Sequence, residues 1–469
     1  MADVDESNVT KTLDVVNPYD QTYLGSLPIV TWDDIDQDLT TAQQLFKDRK
    51  QWLPAFERIN ILNKAALLIS QKADELALLI ASEGGKPLVD ARVEVSRAID
   101  GVALCAKEIS TLTGTQIPMD LTQAGAGRIA FTTKEPIGVV VAVSAFNHPL
   151  NLIVHQVAPA IAAGCPVLIK PARDTPLSCK AFVDILHEAG LPPQWCRFIM
   201  CETSTSERMI TDPRVAFFSF IGSAKIGWML RAKLAPGTRC ALEHGGVAPV
   251  IIEKSADIAA MVPSLLKGGF YHSGQVCVSV QRIFAPKEQA KAIAQMLADG
   301  AAKLIVGNAI DETTECGPLI RPKEVDRVEA WVDEAVSAGA TLVTGGKRLG
   351  ETTYAPTVLL EPPVDAKVST MEIFGPVVCV YGYDDINQAI AQANSLEYAF
   401  QASVFTKNLD TAMSAIQALD ATAVMVNDHT AFRVDWMPFA GRKQSGYNTG
   451  GIAYTMHDMS QDKMAVIKL

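Results

Sequence analysis

An α/β fold of two or three domains is predicted for this chain on three observations. Its 469 residues exceed what one compact core accommodates. From Gly138 onward, short apolar runs alternate with amphipathic helical stretches, the mark of parallel strands joined by crossover helices. Hydrophobic residues make up 48% of the chain and charged residues 20%, a balance that supports a folded core and excludes a disordered chain.

The elements follow in order. From Thr31 to about Glu108 the composition is helical, with Leu62, Ala65, Ala66 and Ile69 at helical spacing. Gly84-Gly85-Lys86-Pro87 interrupts this run, and Val89 to Lys107 resumes it. Between Gly114 and Lys134 the period is lost and turn residues enter, which predicts an extended hairpin. Strands are expected over 138–144, 166–170, 198–200 and 216–221, with helices over 149–163 and 176–189 between them. A second series opens with a strand over 250–252, a helix over 263–272, a strand over 278–284 and a helix over 287–304. Further helices are expected over 324–338, 386–394 and 411–419. The apolar tail 463–469 has no obvious strand partner; it suits pairing across a subunit interface or packing on its own domain.

A net charge of -11 argues against a nucleic-acid or anionic-membrane partner. The nine cysteines are scattered, form no CxxC pair and do not cluster with histidines, so no metal site is expected. They read as reduced, mostly buried thiols. The acidic N-terminal stretch 1–7 lacks the features of a secretory signal, and no apolar run approaches the length of a membrane helix. A cytoplasmic protein is expected.

Three segments carry candidate chemistry. Gly274-Gln-Val-Cys277 sets a thiol between a glycine turn and an apolar strand, where a thiolate reaches a ligand; a packed small hydrophobe is the alternative. Leu242-Glu243-His244-Gly-Gly246 places a carboxylate in an apolar glycine-rich turn, as a general base with a raised pKa or as an exposed loop residue. Asn147 follows a buried strand and precedes a helix, where its amide either donates to a developing oxyanion or caps that helix.

Together with Val167-Leu-Ile-Lys170-Pro-Ala172, Phe220-Ile-Gly222-Ser223-Ala-Lys-Ile-Gly227, Glu372-Ile-Phe374-Gly-Pro-Val377 and Pro438-Phe439-Ala-Gly-Arg-Lys-Gln-Ser-Gly446, these segments resemble the aldehyde dehydrogenase superfamily along nearly the whole chain. The resemblance implies oxidation of an aldehyde to an acid with NAD or NADP. Cys277 would form a thiohemiacetal and then a thioester, Asn147 would hold the oxyanion, and Glu243 would activate water. Relatives that pass the acyl group to coenzyme A generally lack this glutamate, so hydrolysis is favoured over acylation. The chain has no GxGxxG; Gly222 and Ser223, opening the helix around Gly227, match the segment beside the cofactor phosphates. Lys170 matches the residue at the adenosine ribose and Glu372 the one at the nicotinamide ribose, with Phe374 nearby.

The chain also departs from the pattern. Arg173 stands where NAD-dependent relatives commonly carry glutamate; it would pair with the 2′-phosphate of NADP or swing to solvent. His244 stands where leucine is usual, tuning Glu243, lining the pocket or packing away from it. In the segment Asn427-Asp-His429-Thr-Ala-Phe432-Arg433-Val-Asp435-Trp436, Arg433 and His429, with Arg97 from a distant helix, would bind an anionic substrate group. Alternatively Arg433 pairs with Asp435 or a neighbouring subunit, and Phe146, Trp436 and Phe439 line an apolar tunnel. Val276 is arginine in some phospho- or phosphono-aldehyde enzymes, which disfavours a doubly charged substrate.

The resemblance implies a Rossmann-like cofactor domain (1–116 and 137–246), a catalytic α/β domain (247–445) and a small β oligomerisation element (117–136 and 446–469) of a homodimer or homotetramer. A non-catalytic protein of the same fold would be expected to lose Cys277, Glu243 or Asn147. A Cys–His hydrolase using His272 would need neither Lys170 nor Gly222.

Overall fold

The computed structural model describes residues 11–469, and the acidic stretch 1–7 lies outside them. The first element of the described residues is a hairpin of Thr12–Val16 with Tyr23–Pro28, which the apolar periodicity did not announce. Helix Trp32–Lys47 opens with a reciprocal cap: Asp34 donates its N–H to the Thr31 hydroxyl, and its carboxylate accepts the Thr31 N–H at 2.9 Å. Helix Ala55–Gln71 packs on Leu88–Glu108 and buries Leu62, Ala65, Ala66 and Ile69, the stripe that its spacing predicts.

Two mostly parallel sheets form the body. The six-stranded sheet runs Gly446–Tyr447, Arg239–Glu243, Val215–Ile221, Val139–Val143, Val167–Lys170, Cys196–Phe198. Its central strands are largely apolar, with Lys170 at one strand's end and Ser219 inside another, as sheets covered by helices on both faces require. The seven-stranded sheet runs Thr341–Thr344, Thr357–Leu360, Val377–Tyr383, Val280–Pro286, Ala248–Ile252, Gln401–Phe405, Ala423–Val426. The first sheet turns its carboxyl ends, at Val143, Lys170, Ile221 and Glu243, towards the segments that lead into Val280–Pro286 and Val377–Tyr383 of the second. Those segments carry Cys277 and Glu372.

Three expectations need correction. The helix expected to begin at Pro263 spans Ile258–Phe270, because Asp257 caps it by accepting the Ala260 N–H and Pro263 is tolerated inside. Residues 446–458 do not belong to the small β element. Gly446–Tyr447 closes the six-stranded sheet against Glu243 and Leu242, and helix Ile452–Asp458 packs on Asn151–Ala163. Only Ser460–Lys468 joins that element, and its partner is Arg128–Pro136 of the same chain, antiparallel along the full length of both strands. Gln116–Ile117 adds a third strand to this ribbon. Among the described residues no helix is long and apolar enough to cross a membrane.

Candidate active site

A cavity of about 740 Å³ lies where the carboxyl ends of the six-stranded sheet meet the second sheet, and residues of both line it. Cys277 lines it from the turn ahead of Val280–Pro286. Its neighbours Val276 and Val278 also border the cavity and pack with Phe400 and Phe439 in a small apolar cluster. Cys277 is the one cysteine of the nine that is only partly buried. The approach to it is a tight turn: His272, Ser273 and Gly274 all have positive φ, of 48°, 56° and 71°. Only glycine serves at the last position, since a side chain there would collide with the Gly375 carbonyl. Gln275 pins the turn, donating to the carbonyls of His272 and Pro318 at 3.3 and 3.2 Å and accepting the Ile320 N–H at 3.0 Å.

Asn147 enters from the strand end at Val143. It does not cap the following helix; its Nδ2 donates to the Gln275 carbonyl at 2.9 Å. The amide carries a second hydrogen, which remains for a ligand beside Cys277. Glu243 ends its strand in the same cavity and is no exposed loop residue. Its carboxylate lies against Gly450, where a Cβ would overlap it. Burial raises its pKa above the usual carboxylate range, with Arg433 opposing. Burial also pushes the Cys277 thiol up to about 12; Glu372 and Glu243 add to the shift and Arg433 opposes it. The resting thiol therefore needs a base, and Glu243 is raised in the direction that makes it one.

The other half of the cavity suits a dinucleotide. Gly222 and Ser223 line it, and Ser223 begins helix Ala224–Arg231 without covering its first amides by a side chain. Glu372 Oε1 is a buried acceptor with no partner, and burial raises its carboxyl to about 8. Phe374 packs edge-on to Phe146, with centroids 5.8 Å apart. Lys170 sits at its strand end, set back from the lining, its ammonium on the Pro171 carbonyl at 3.2 Å. Arg173 lines the rim and pairs with Glu202 at 3.0 Å. Gly227 is set back from the cavity and admits His244, whose ring would overlap any side chain there. His244 Nδ1 meets the Gly222 carbonyl at 2.9 Å, and the ring packs edge-on to Phe220 and Trp228.

Residues 4–465 match the aldehyde dehydrogenase family. The chain belongs to this family. The enzyme therefore oxidises an aldehyde with NAD or NADP as cofactor. Over 458 residues it is 36% identical to the 3-sulfolactaldehyde dehydrogenase of Priestia aryabhattai, covering 97% of this chain and 95% of that one. Aldehyde dehydrogenase 21 from Physcomitrella patens, solved in complex with the reaction product succinate, superposes with a TM-score of 0.94 at 36% identity. That match covers 99% of this chain and 96% of the other. The glyceraldehyde-3-phosphate dehydrogenase of Methanocaldococcus jannaschii, solved with NADP, gives 0.93 at 34% identity, covering 98% and 100%.

Elsewhere on the lining of this aldehyde dehydrogenase, Arg433 lies over the Phe439 ring, 3.6 Å from its centroid. It does not pair directly with Asp435, whose carboxylate is taken by Arg97, Asn151 and His155. Arg97 reaches the cavity wall, but its guanidinium is committed to that carboxylate. His429 is a correction: it lies outside the lining, its Cβ against Gly268 and its Nδ1 accepting the Ala431 N–H at 3.1 Å. Trp436 also lies outside, 66% exposed, whereas Phe146 and Phe439 contribute to the wall. His272 is fully buried, outside the lining, with neither ring nitrogen partnered, which does not suit a base for Cys277. Asn151 and His155 went unnoticed in the sequence. Their signal was faint: two polar residues four apart, with Gln156 beside the second, in a helix that is apolar elsewhere.

Proposed function

We propose that this enzyme oxidises a small aldehyde bearing an anionic or hydroxylated substituent, through a thioester on Cys277 that is hydrolysed by water activated at Glu243. The observation that carries this reading is the convergence on one cavity of Cys277, Asn147, Glu243 and a half-buried Arg433 that forms no ion pair among the described residues.

Cys277 attacks the carbonyl carbon as its proton passes towards Glu243. The oxyanion meets the second hydrogen of Asn147 Nδ2 and the Cys277 N–H, each worth roughly 3–4 kcal/mol in such sites. When bound, NAD(P) supplies the hydride acceptor that the oxidation requires. Gly222 and Ser223 would hold its phosphates, Lys170 and Glu372 its riboses, and Arg173 the 2′-phosphate of NADP; the orphaned Glu372 oxygen supports this fit. Once Glu243 has passed that first proton to solvent, it takes a proton from the water that attacks the thioester; the C–S bond breaks, and the acid leaves with Cys277 as the thiolate.

The relatives support a small, charged substrate: one is named for 3-sulfolactaldehyde and another holds succinate. Val276 beside the nucleophile supplies no second cation, which favours a singly charged group. The same reading includes a cytoplasmic homodimer or homotetramer joined through the 128–136 and 460–468 ribbon, with a cofactor-binding domain on the six-stranded sheet and a catalytic domain on the seven-stranded one.

The test is the ultraviolet absorbance of reduced nicotinamide with propanal, benzaldehyde, lactaldehyde, succinic semialdehyde and a sulfo-aldehyde. Activity highest on the small polar and anionic members, independent of coenzyme A and absent in Cys277→Ala, is expected. Equal turnover of benzaldehyde, or a coenzyme A requirement, would overturn it.

A further inference from the structure

Along the cavity wall, a line of polar side chains runs from Arg97, Asn151 and His155, which border the cavity, to Asp435 behind them, and ends on Arg433. Asp435 accepts from the Arg97 guanidinium at 2.8 and 3.1 Å, from the Asn151 amide at 3.1 Å and from His155 Nε2 at 2.7 Å. The second ring nitrogen of His155, Nδ1, lies 3.4 Å from Arg433 Nη2. The ends of this line dictate its polarity. A guanidinium only donates and a carboxylate only accepts, so His155 carries its proton on Nε2 and presents a lone pair at Nδ1. Burial and the neighbouring Arg433 push His155 down to about 4, which keeps it in this neutral form.

Two consequences follow for Arg433. Its guanidinium, over Phe439 and with Nε unpartnered, has one acceptor that fixes its orientation, and that acceptor is His155. His155 also stands between Arg433 and Asp435, the carboxylate towards which Arg433 would otherwise swing. With Arg97, Asn151 and His155 in place, Asp435 has little capacity left for another donor.

We propose that His155 is a positioning residue that sets substrate specificity: its Nδ1 lone pair holds the Arg433 cation at the cavity, so recognition of an anionic substituent on the aldehyde runs through His155. This rests on Arg433 as the partner of the substrate's anionic group. Without His155, Arg433 turns to Asp435 and its charge is neutralised before substrate arrives.

The experiment compares kcat/KM for succinic semialdehyde with that for butanal, and titrates succinate as a ligand of the holoenzyme. His155→Phe keeps the ring and removes both nitrogens. It lowers the anionic-over-neutral ratio by about tenfold, the effect of one lost hydrogen bond to a charged group, with the loss in KM and a matching loss of succinate affinity. His155→Asn, which restores an acceptor near Nδ1, recovers most of the ratio. If His155→Phe does not fold, His155→Leu carries the same expectation. Arg433→Met separates the two levels. If it lowers the ratio while His155→Phe and His155→Leu leave it unchanged, the role of His155 is overturned and the Arg433 reading stands. If Arg433→Met leaves the ratio unchanged, both fall.

Discussion

Arg173 donates from Nη1 to the Glu202 carboxylate at 3.0 Å, at the rim of the cofactor half of the cavity. Both side chains are 38% exposed, so the pair contributes little to stability, about 0–1 kcal/mol. Its weight lies in what Arg173 is free to do. A 2′-phosphate competes with Glu202 for the same guanidinium. Glu202→Gln is expected to raise the NADP-over-NAD ratio of kcat/KM, and Arg173→Glu to lower it about tenfold or more. An unchanged ratio in Arg173→Glu would remove Arg173 from cofactor selection.

The raised carboxyl of Glu243 predicts a pH limb. Its basic form disappears as pH falls through a value above the ordinary glutamate range, so thioester hydrolysis weakens at milder acidity than a solvent-exposed glutamate would cause. Glu243→Gln should abolish that limb and slow turnover by about 10²–10⁴. A burst of reduced cofactor and an acyl adduct on Cys277, seen by mass spectrometry, would mark the stalled intermediate. Alkylation of Cys277 by iodoacetamide should accelerate with rising pH, as a thiol pushed up to about 12 requires.

Lys86 and Glu94 pair inside the helical layer with no exposure of either side chain. The other Glu94 oxygen accepts the N–H groups of Leu150 and Asn151 at 2.9 and 3.0 Å, at the start of the helix that carries Asn151 and His155. Lys86→Met strands a buried carboxylate and is expected to destabilise the fold by about 3–5 kcal/mol. Denaturant unfolding measures it; a change under 1 kcal/mol, roughly that of a surface pair, would contradict the assignment.

The ribbon of Arg128–Pro136 and Ser460–Lys468 exposes Ile129, Phe131, Met464, Val466 and Ile467. Cross-strand pairing sets Ile467 opposite Ile129 and Val466 opposite Ala130, so apolar side chains project from both faces. In the proposed homo-oligomer, Ile467→Glu or Phe131→Glu should lower the sedimentation coefficient to that of a monomer that keeps its far-ultraviolet circular dichroism; a wild-type chain that already sediments as a monomer would contradict the proposal.

The first α/β series was legible in the sequence because its signals are local. The strand at 139–143 and the helix at 88–108 match their expected positions to within one residue at each end. Cys277, Glu243 and Asn147 were legible from their motifs, and the structure brings them to one cavity. What was not legible depends on distant partners. The tail strand finds Arg128–Pro136 more than three hundred residues away, and Asp435 receives donors from two helices that no periodicity connects to it. His429 misled because its neighbourhood in sequence matched a substrate loop, whereas its side chain faces Gly268.

Glu243, at the end of Arg239–Glu243, is flanked by Gly446–Tyr447, and its carboxylate rests on Gly450. A side chain added at Gly450 would displace that carboxylate while leaving Cys277 and Asn147 in place, so a single methyl group far along the chain from the cysteine could silence the pocket.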